Sequence, residues 1–358
     1  MMIRSSNKLF GKLPDGSQVT SWTMRNQNGM EVEILNYGAI VRRISFPHPD
    51  GDAVDVVLGF DDIDGYLQDS AWIGAVAGRV AGRISGGRFT LNGVTHQLPL
   101  NQPPNHLHGG PDSFNRKLWR GEVIEGSGLV SIRLVHLSPH GEQNYPGDVI
   151  VAVTYTLTDN DEMIFTTEAV SLDSTPVSIT QHSYFNLAGR LQEDTRDHIL
   201  GVFSDRIIPT NSTHTLSDCK FPVAGTASDL RNPKRIRDMV SQVANQHLDF
   251  YWFGDAGESK HMARLFSPES GIQMDVFSTH DCLQAYSAMD MNGNVPGKSG
   301  RSHQAYSGVC LETEGYPNAC DTDDFGSILT DPGKVQKHVT IYAFQHRGGG
   351  LQPPSPAR

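Results

Sequence analysis

Alternation of apolar and polar residues at every second position constrains this chain more than any other feature. Val149, Val151, Val153, Tyr155 and Leu157 alternate with smaller or polar residues. Successive side chains of a strand point to opposite faces, so this period describes a strand with one well-buried side. Val130, Ile132 and Leu134 repeat the pattern earlier, and Val335, Val339, Ile341 and Ala343 repeat it near the end. Arg88 to Leu98 reads as a hairpin, with Asn92-Gly93 at the tip supplying the positive φ angles of a tight turn. Asn28-Gly29, Asp50-Gly51 and Asn292-Gly293 are further turn signals. Helical periodicity is scarce, and its best stretch, Arg235 to Gln246, is short. No linker divides the chain and no fixed-period repeat is present. The expectation is an all-β protein, one large antiparallel β-sandwich over residues 1–347. The Gly- and Pro-rich tail from Gly348 to Arg358 is expected to be disordered.

Composition narrows the partners. A net charge of −11 argues against nucleic acid or an anionic membrane surface, and gives no encouragement to a heavily phosphorylated substrate. Cys219, Cys282, Cys310 and Cys320 are scattered without paired spacing, so neither a disulfide framework nor a zinc knuckle is indicated. The first residues lack an apolar core of signal-peptide length, and no later stretch is long enough to span a bilayer. A cytoplasmic location is therefore expected. Monomer and homodimer both stay open.

Polar residues gather in a few islands. Val177 to Leu187 sorts at the strand period into Val177, Ile179, Phe185 and Leu187 on one side, and Ser178, Thr180, His182, Tyr184 and Asn186 on the other. A histidine beside a tyrosine and an amide on a half-buried strand suits the wall of a polar-ligand site. In Tyr306 to Glu314, Val309 and Leu311 are expected to face the core, which places Glu312 and Glu314 together on the opposite side. Asn105-His106-Leu107-His108-Gly109-Gly110 contains a His-x-His pair, which also opens metal sites in β-proteins. Ala77 to Ile84 sets Arg79 and Arg83 among small residues, and Leu248 to Tyr251 and Leu283 to Ser287 contribute Asp249 and Gln284.

In order and spacing these islands resemble the aldose 1-epimerase (galactose mutarotase) family over nearly the whole chain. The resemblance begins at Leu35-Asn36-Tyr37-Gly38-Ala39 and Val57-Leu58-Gly59-Phe60-Asp61. Its most specific markers are Leu107-His108-Gly109-Gly110, His182 to Leu187 and Leu311-Glu312-Thr313. It implies a large β-sandwich with a free aldose sugar in an open cleft on one sheet, and neither metal nor cofactor. By position, His182 corresponds to the general acid that protonates the ring oxygen. Glu312 corresponds to the base that takes the anomeric hydroxyl proton. Arg83, His108, Tyr184, Asp249 and Gln284 correspond to substrate contacts, with Asp249 anchoring hydroxyls.

The residue types suit that chemistry. Opening a cyclic hemiacetal removes a proton from the anomeric hydroxyl while the ring oxygen gains one, and each positioned transfer is worth about 10²–10⁴ in rate. Histidine near its usual pKa of about 6.5 and glutamate near about 4.3 would provide the two groups. Neighbouring carboxylates are expected to favour the charged histidine, and Glu314 to raise the pKa of Glu312. The chain departs from the family at Gly82, where Asn is usual, and at Phe250, Glu314 and Gln181, where His, Gln and Asn are common. Other readings stand beside this one. A non-catalytic sugar sensor could share the fold. A glycosidase could pair Glu312 with Glu314, roughly 7 Å apart along a strand. A metal site could use His106 and His108 with a distant Glu or His.

Overall fold

The computed structural model describes residues 4–189, 194–211, 213–217, 219–243, 246–254, 259–319 and 326–347. Cys320 and the tail from Gly348 lie outside the described residues. Among the described residues, most strands fall into three antiparallel sheets. The largest runs in the order Arg120–Gly126, Leu129–Ser138, Val149–Thr158, Glu162–Ser171, Val335–His346, Ile272–Ser278, Lys260–Phe266, Ile199–Val202, Lys234–Arg235. A six-stranded sheet takes the order Tyr184–Phe185, Val309–Glu314, Cys282–Tyr286, Asp249–Phe253, Arg206–Ile208, Phe221–Pro222. The first five strands, Arg4–Lys12 to Gly51–Asp55, form a meander in sequence order.

The period-two faces meet in one core. Val149, Val151, Val153, Tyr155 and Leu157, with Val130, Ile132 and Leu134, pack in the same apolar cluster as Val309, Leu311, Leu283, Ala285 and Trp252 of the six-stranded sheet. Each such aliphatic side chain taken from water contributes about 1.5–3 kcal/mol. The partners across Leu129–Ser138 and Val149–Thr158 run without a register shift, which lets every second side chain reach the same layer. The hairpin forms as expected, Arg88–Leu91 pairing with Val94–Gln97 about Asn92 (φ 52°) and Gly93 (φ 78°).

Three expectations need correction. Val335–His346 is a strand, but its buried face carries Thr340, Tyr342 and Phe344, while Val335, Val339, Ile341 and Ala343 lie outward. Tyr342 and Phe344 join the same apolar cluster as the six-stranded sheet, so tertiary packing rather than the aliphatic pattern sets the phase. The helix near Arg235 covers only Ile236–Val240. The segment from Val177 to Leu187 is not one strand. Thr180–Gln181 pairs with Val76–Ala77, and Tyr184–Phe185 pairs with Val309–Glu314. Both sides of it are buried, because other chain segments cover the face expected to meet water. No helix among the described residues is long and apolar enough to cross a membrane.

Candidate active site

The face of the six-stranded sheet turned away from the core is polar, and the strand period decides its membership. Val309 and Leu311 point into the core, so Cys310, Glu312 and Glu314 point the other way. Register then sets Gln284 beside Glu312, Tyr251 beside Gln284, Asp249 beside Tyr286 and Tyr184 beside Cys310. Two irregular segments, around Trp72 to Arg83 and Gln102 to Gly110, close over this face. His108 holds a left-handed backbone (φ 49°) and is followed by Gly109 (φ 85°), where a Cβ would overlap the Gly78 carbonyl oxygen. That close approach turns the His108 ring inward.

The resulting cleft of about 220 Å³ is lined by Arg83, His108, His182, Tyr184, Asp249, Gln284 and Glu312. Every site residue expected from sequence therefore meets the others. The cleft also includes Trp72, Gln102, Tyr286 and Asp290, which sequence reasoning missed. Tyr286 follows Gln284 by two on the same strand, so period two could have found it. Trp72 and Gln102 stand on irregular backbone and gave no such signal.

At the floor, His182 Nε2 lies 3.5 Å from Glu312 Oε2, both groups buried. Gln284 donates to Asp249 Oδ1 at 2.7 Å, and Arg83 Nε donates to Gln102 Oε1 at 2.6 Å. The Tyr184 hydroxyl donates to the Ala71 carbonyl, so its ring, 5.0 Å from that of His182, serves as a wall. His108 accepts the Gly82 backbone N–H at Nδ1 (3.1 Å), which places the proton of its neutral form on Nε2.

Electrostatics differ from the expectation for His182. Burial, reinforced by Arg83, lowers its pKa to about 4, so the imidazole is neutral in the empty cleft. Burial also lowers His108 well below the usual value, with His182 and Arg83 acting in the same direction. Glu312 is raised well above the usual carboxylate range, first by burial, then by Glu314 and Asp249. The effect expected of Glu314 thus has the right direction and ranks second. Glu314 itself is raised to about 8 by burial. It does not flank the cleft with Glu312. A Cβ on Gly82 would lie 2.9 Å from its Oε1 and 3.0 Å from the Tyr251 hydroxyl. That placement removes the geometry of a glycosidase pair, which needs carboxyls on either side of one bond. It also shows that the position of Gly82 has no room for a larger side chain.

The metal reading fares no better. His106 is turned away from His108, with Nδ1 2.7 Å from the Pro99 carbonyl and Nε2 2.9 Å from the Tyr145 hydroxyl. His108, His182 and Glu312 do bring three candidate ligand atoms within 4.8 Å of one another. A metal on His108 Nε2 would require a proton on Nδ1, aimed at the Gly82 N–H. The donor set therefore does not fit a cation.

A β-sandwich with a buried imidazole–carboxyl pair in a small polar cleft defines a protein equipped for proton transfer on a compact polar ligand. Residues 20–343 match the family described as aldose 1-epimerase. The chain is 36% identical to galactose mutarotase of Rattus norvegicus, covering 96% of this chain and 99% of the relative. It is 30% identical to aldose 1-epimerase of Escherichia coli, covering 92% and 96%. The solved galactose 1-epimerase of Lactobacillus acidophilus superposes with a TM-score of 0.84 at 26% identity, covering 96% of this chain and 99% of that one. The chain belongs to the aldose 1-epimerase family and is, with it, a carbohydrate isomerase.

Proposed function

We propose that this isomerase interconverts the α and β anomers of free aldohexoses such as glucose or galactose, with His182 as the acid and Glu312 as the base. The observation that carries the assignment is the pair itself, Nε2 and Oε2 3.5 Å apart on the floor of one cleft. Glu312 takes the proton of the anomeric hydroxyl while His182 Nε2 gives its proton to the ring oxygen, and the C1–O5 bond breaks. Rotation about C1–C2 turns the other carbonyl face to O5, and reversal of both transfers closes the ring. Nothing is oxidised and no group leaves, so the pair ends as it began.

In the empty cleft the uncharged pair dominates, because burial penalises both charged forms. The working ion pair holds the same number of protons, with one moved from Glu312 to His182. Sugar hydroxyls that bond to the carboxylate replace solvation it lacks and favour that form. His108, donating from Nε2, and Arg83, steadied by Gln102, offer hydrogen bonds to ring and hydroxyl oxygens. Asp249, aligned by Gln284, accepts from hydroxyls.

Polarimetry of freshly dissolved α-D-glucose and α-D-galactose tests the proposal. Faster approach to the unchanged final rotation, lost in Glu312→Gln, supports it. Saturable sugar binding without acceleration replaces it with a sensor.

A further inference from the structure

One strand holds the imidazole of His182 at both ends. Cys310 and Glu312 stand two apart on Val309–Glu314 and share a face. Cys310 Sγ lies 3.5 Å from His182 Nδ1, and Glu312 Oε2 lies 3.5 Å from Nε2. Cys310 is fully buried. Burial pushes its thiol pKa well up, so the sulfur keeps its hydrogen. Across the ladder its register partner is Tyr184, whose hydroxyl hydrogen is committed to the Ala71 carbonyl at 2.9 Å. The Tyr184 oxygen then has acceptor capacity left, and it stands across the ladder from the Cys310 thiol. An S–H turned to Tyr184 leaves a sulfur lone pair for His182 Nδ1, 3.5 Å away, and the direction of that contact is set by the tautomer of the ring.

We propose that Cys310 is a positioning residue that fixes the proton of neutral His182 on Nδ1, so that Nε2 alone gains and loses a proton in turnover. The proposal rests on the reading of His182 as the proton donor and deepens it. An imidazolium that gives up its Nε2 proton becomes the Nδ1–H tautomer directly. The other neutral tautomer would have to form an imidazolate to donate from Nε2, and is a dead end. The Nδ1–H form also leaves the Nε2 lone pair facing Glu312 Oε2, 3.5 Å away.

The choice of sulfur has a consequence. A carboxylate behind a histidine raises its basicity, whereas a thiol is a weak acceptor. Cys310 thus orients the ring without stabilising the imidazolium strongly, and the proton stays easy to give to a weakly basic ring oxygen. The other groups facing His182 are His108, Arg83 and Tyr184. Among the described residues, Cys310 is the side-chain partner of Nδ1.

The test is long-range ¹H–¹⁵N NMR of the uniformly labelled full chain, with the His182 signals assigned by their loss in His182→Gln. The expected result at pH 7 is a protonated Nδ1 and a bare Nε2. A proton on Nε2 overturns the proposal without any Cys310 variant. Cys310→Ala is expected to mix the tautomers and lower kcat about tenfold at nearly constant KM, a size typical of lost partners that orient a histidine. Cys310→Ser supplies a harder acceptor, keeps the tautomer, and moves the acid limb of the kcat/KM profile up by about one pH unit. Unchanged kcat and pH profile in both variants would also overturn it. Failure of the parent reading looks different. A wild type that does not speed mutarotation removes the acid role, while the tautomer measurement still decides what Cys310 does.

Discussion

The nine-stranded sheet and the polar face of the six-stranded sheet obey the same two-residue period, yet differ in what covers them. In the first, Val149–Thr158 alternates buried and less buried positions along most of its length. Its outward face, with Ile150 half exposed, meets water. In the second, all of Val309–Glu314 is buried. Core packs on one side, and the segments bearing Trp72, Gly82 and His108 close over the other, each with a left-handed backbone residue. Regular ladders build a scaffold that tolerates change on one face. The site requires irregular backbone laid on a regular strand, and that covering removes water from His182, Glu312 and Glu314. Desolvation is what moves their pKa values.

The sharpest test of this contrast is Glu312→Gln. It should lower kcat about 10²–10⁴-fold without lowering the melting temperature, since it also removes a buried acid held beside Glu314. Residual activity above a tenth of wild type would contradict it.

Gly109→Ala and Leu134→Ala should separate site from scaffold. At Gly109 the added Cβ meets the Gly78 carbonyl, so stability should fall by about 3 kcal/mol and kcat/KM should fall as His108 shifts. Leu134 is fully buried in the core. Its truncation should cost about 3 kcal/mol in denaturant unfolding and leave kcat at 25 °C unchanged. Equal effects on activity would dissolve the distinction.

Glu314→Gln probes the covered face through pH. The folded-state pKa of Glu314, about 8, exceeds its ordinary 4.5. Between those values the native state holds a proton that the unfolded chain has released, so stability is lost as pH rises through that window. The variant lacks this loss. Its melting temperature relative to wild type should climb from pH 5 to pH 8, and a constant difference by calorimetry would refute the assignment. The smallest effect belongs to the open face of the large sheet, where Ile150→Thr should change stability by less than about 0.5 kcal/mol and leave mutarotation untouched.

Much of this was legible in the chain. Alternation at Val130–Leu134 and Val149–Leu157 identified strands and their inner faces. Asn92-Gly93 identified a hairpin. Parity along Val309 to Glu314 put Glu312 opposite the core. The residues that meet in the cleft were implied by the resemblance to the aldose 1-epimerase family, not by any local pattern. The strand faces and the hairpin are local, since side-chain direction follows from the pleat and turn geometry from φ.

Tertiary structure decided the rest. Parity says which side chains share a face, but not which face is covered, so Val335–His346 turned Tyr342 and Phe344 inward instead of its aliphatic set. The Val177 to Leu187 segment became two short pairings, because different neighbours claim its two halves. Trp72 and Gln102 entered the cleft from irregular loops whose positions no period encodes. Protonation was decided last. A lowered pKa at His182 and a raised one at Glu312 follow from groups distant in sequence that exclude water and place Arg83, Asp249 and Glu314 around them. Sequence determines which side chains a strand presents together; their charge depends on what folds over them.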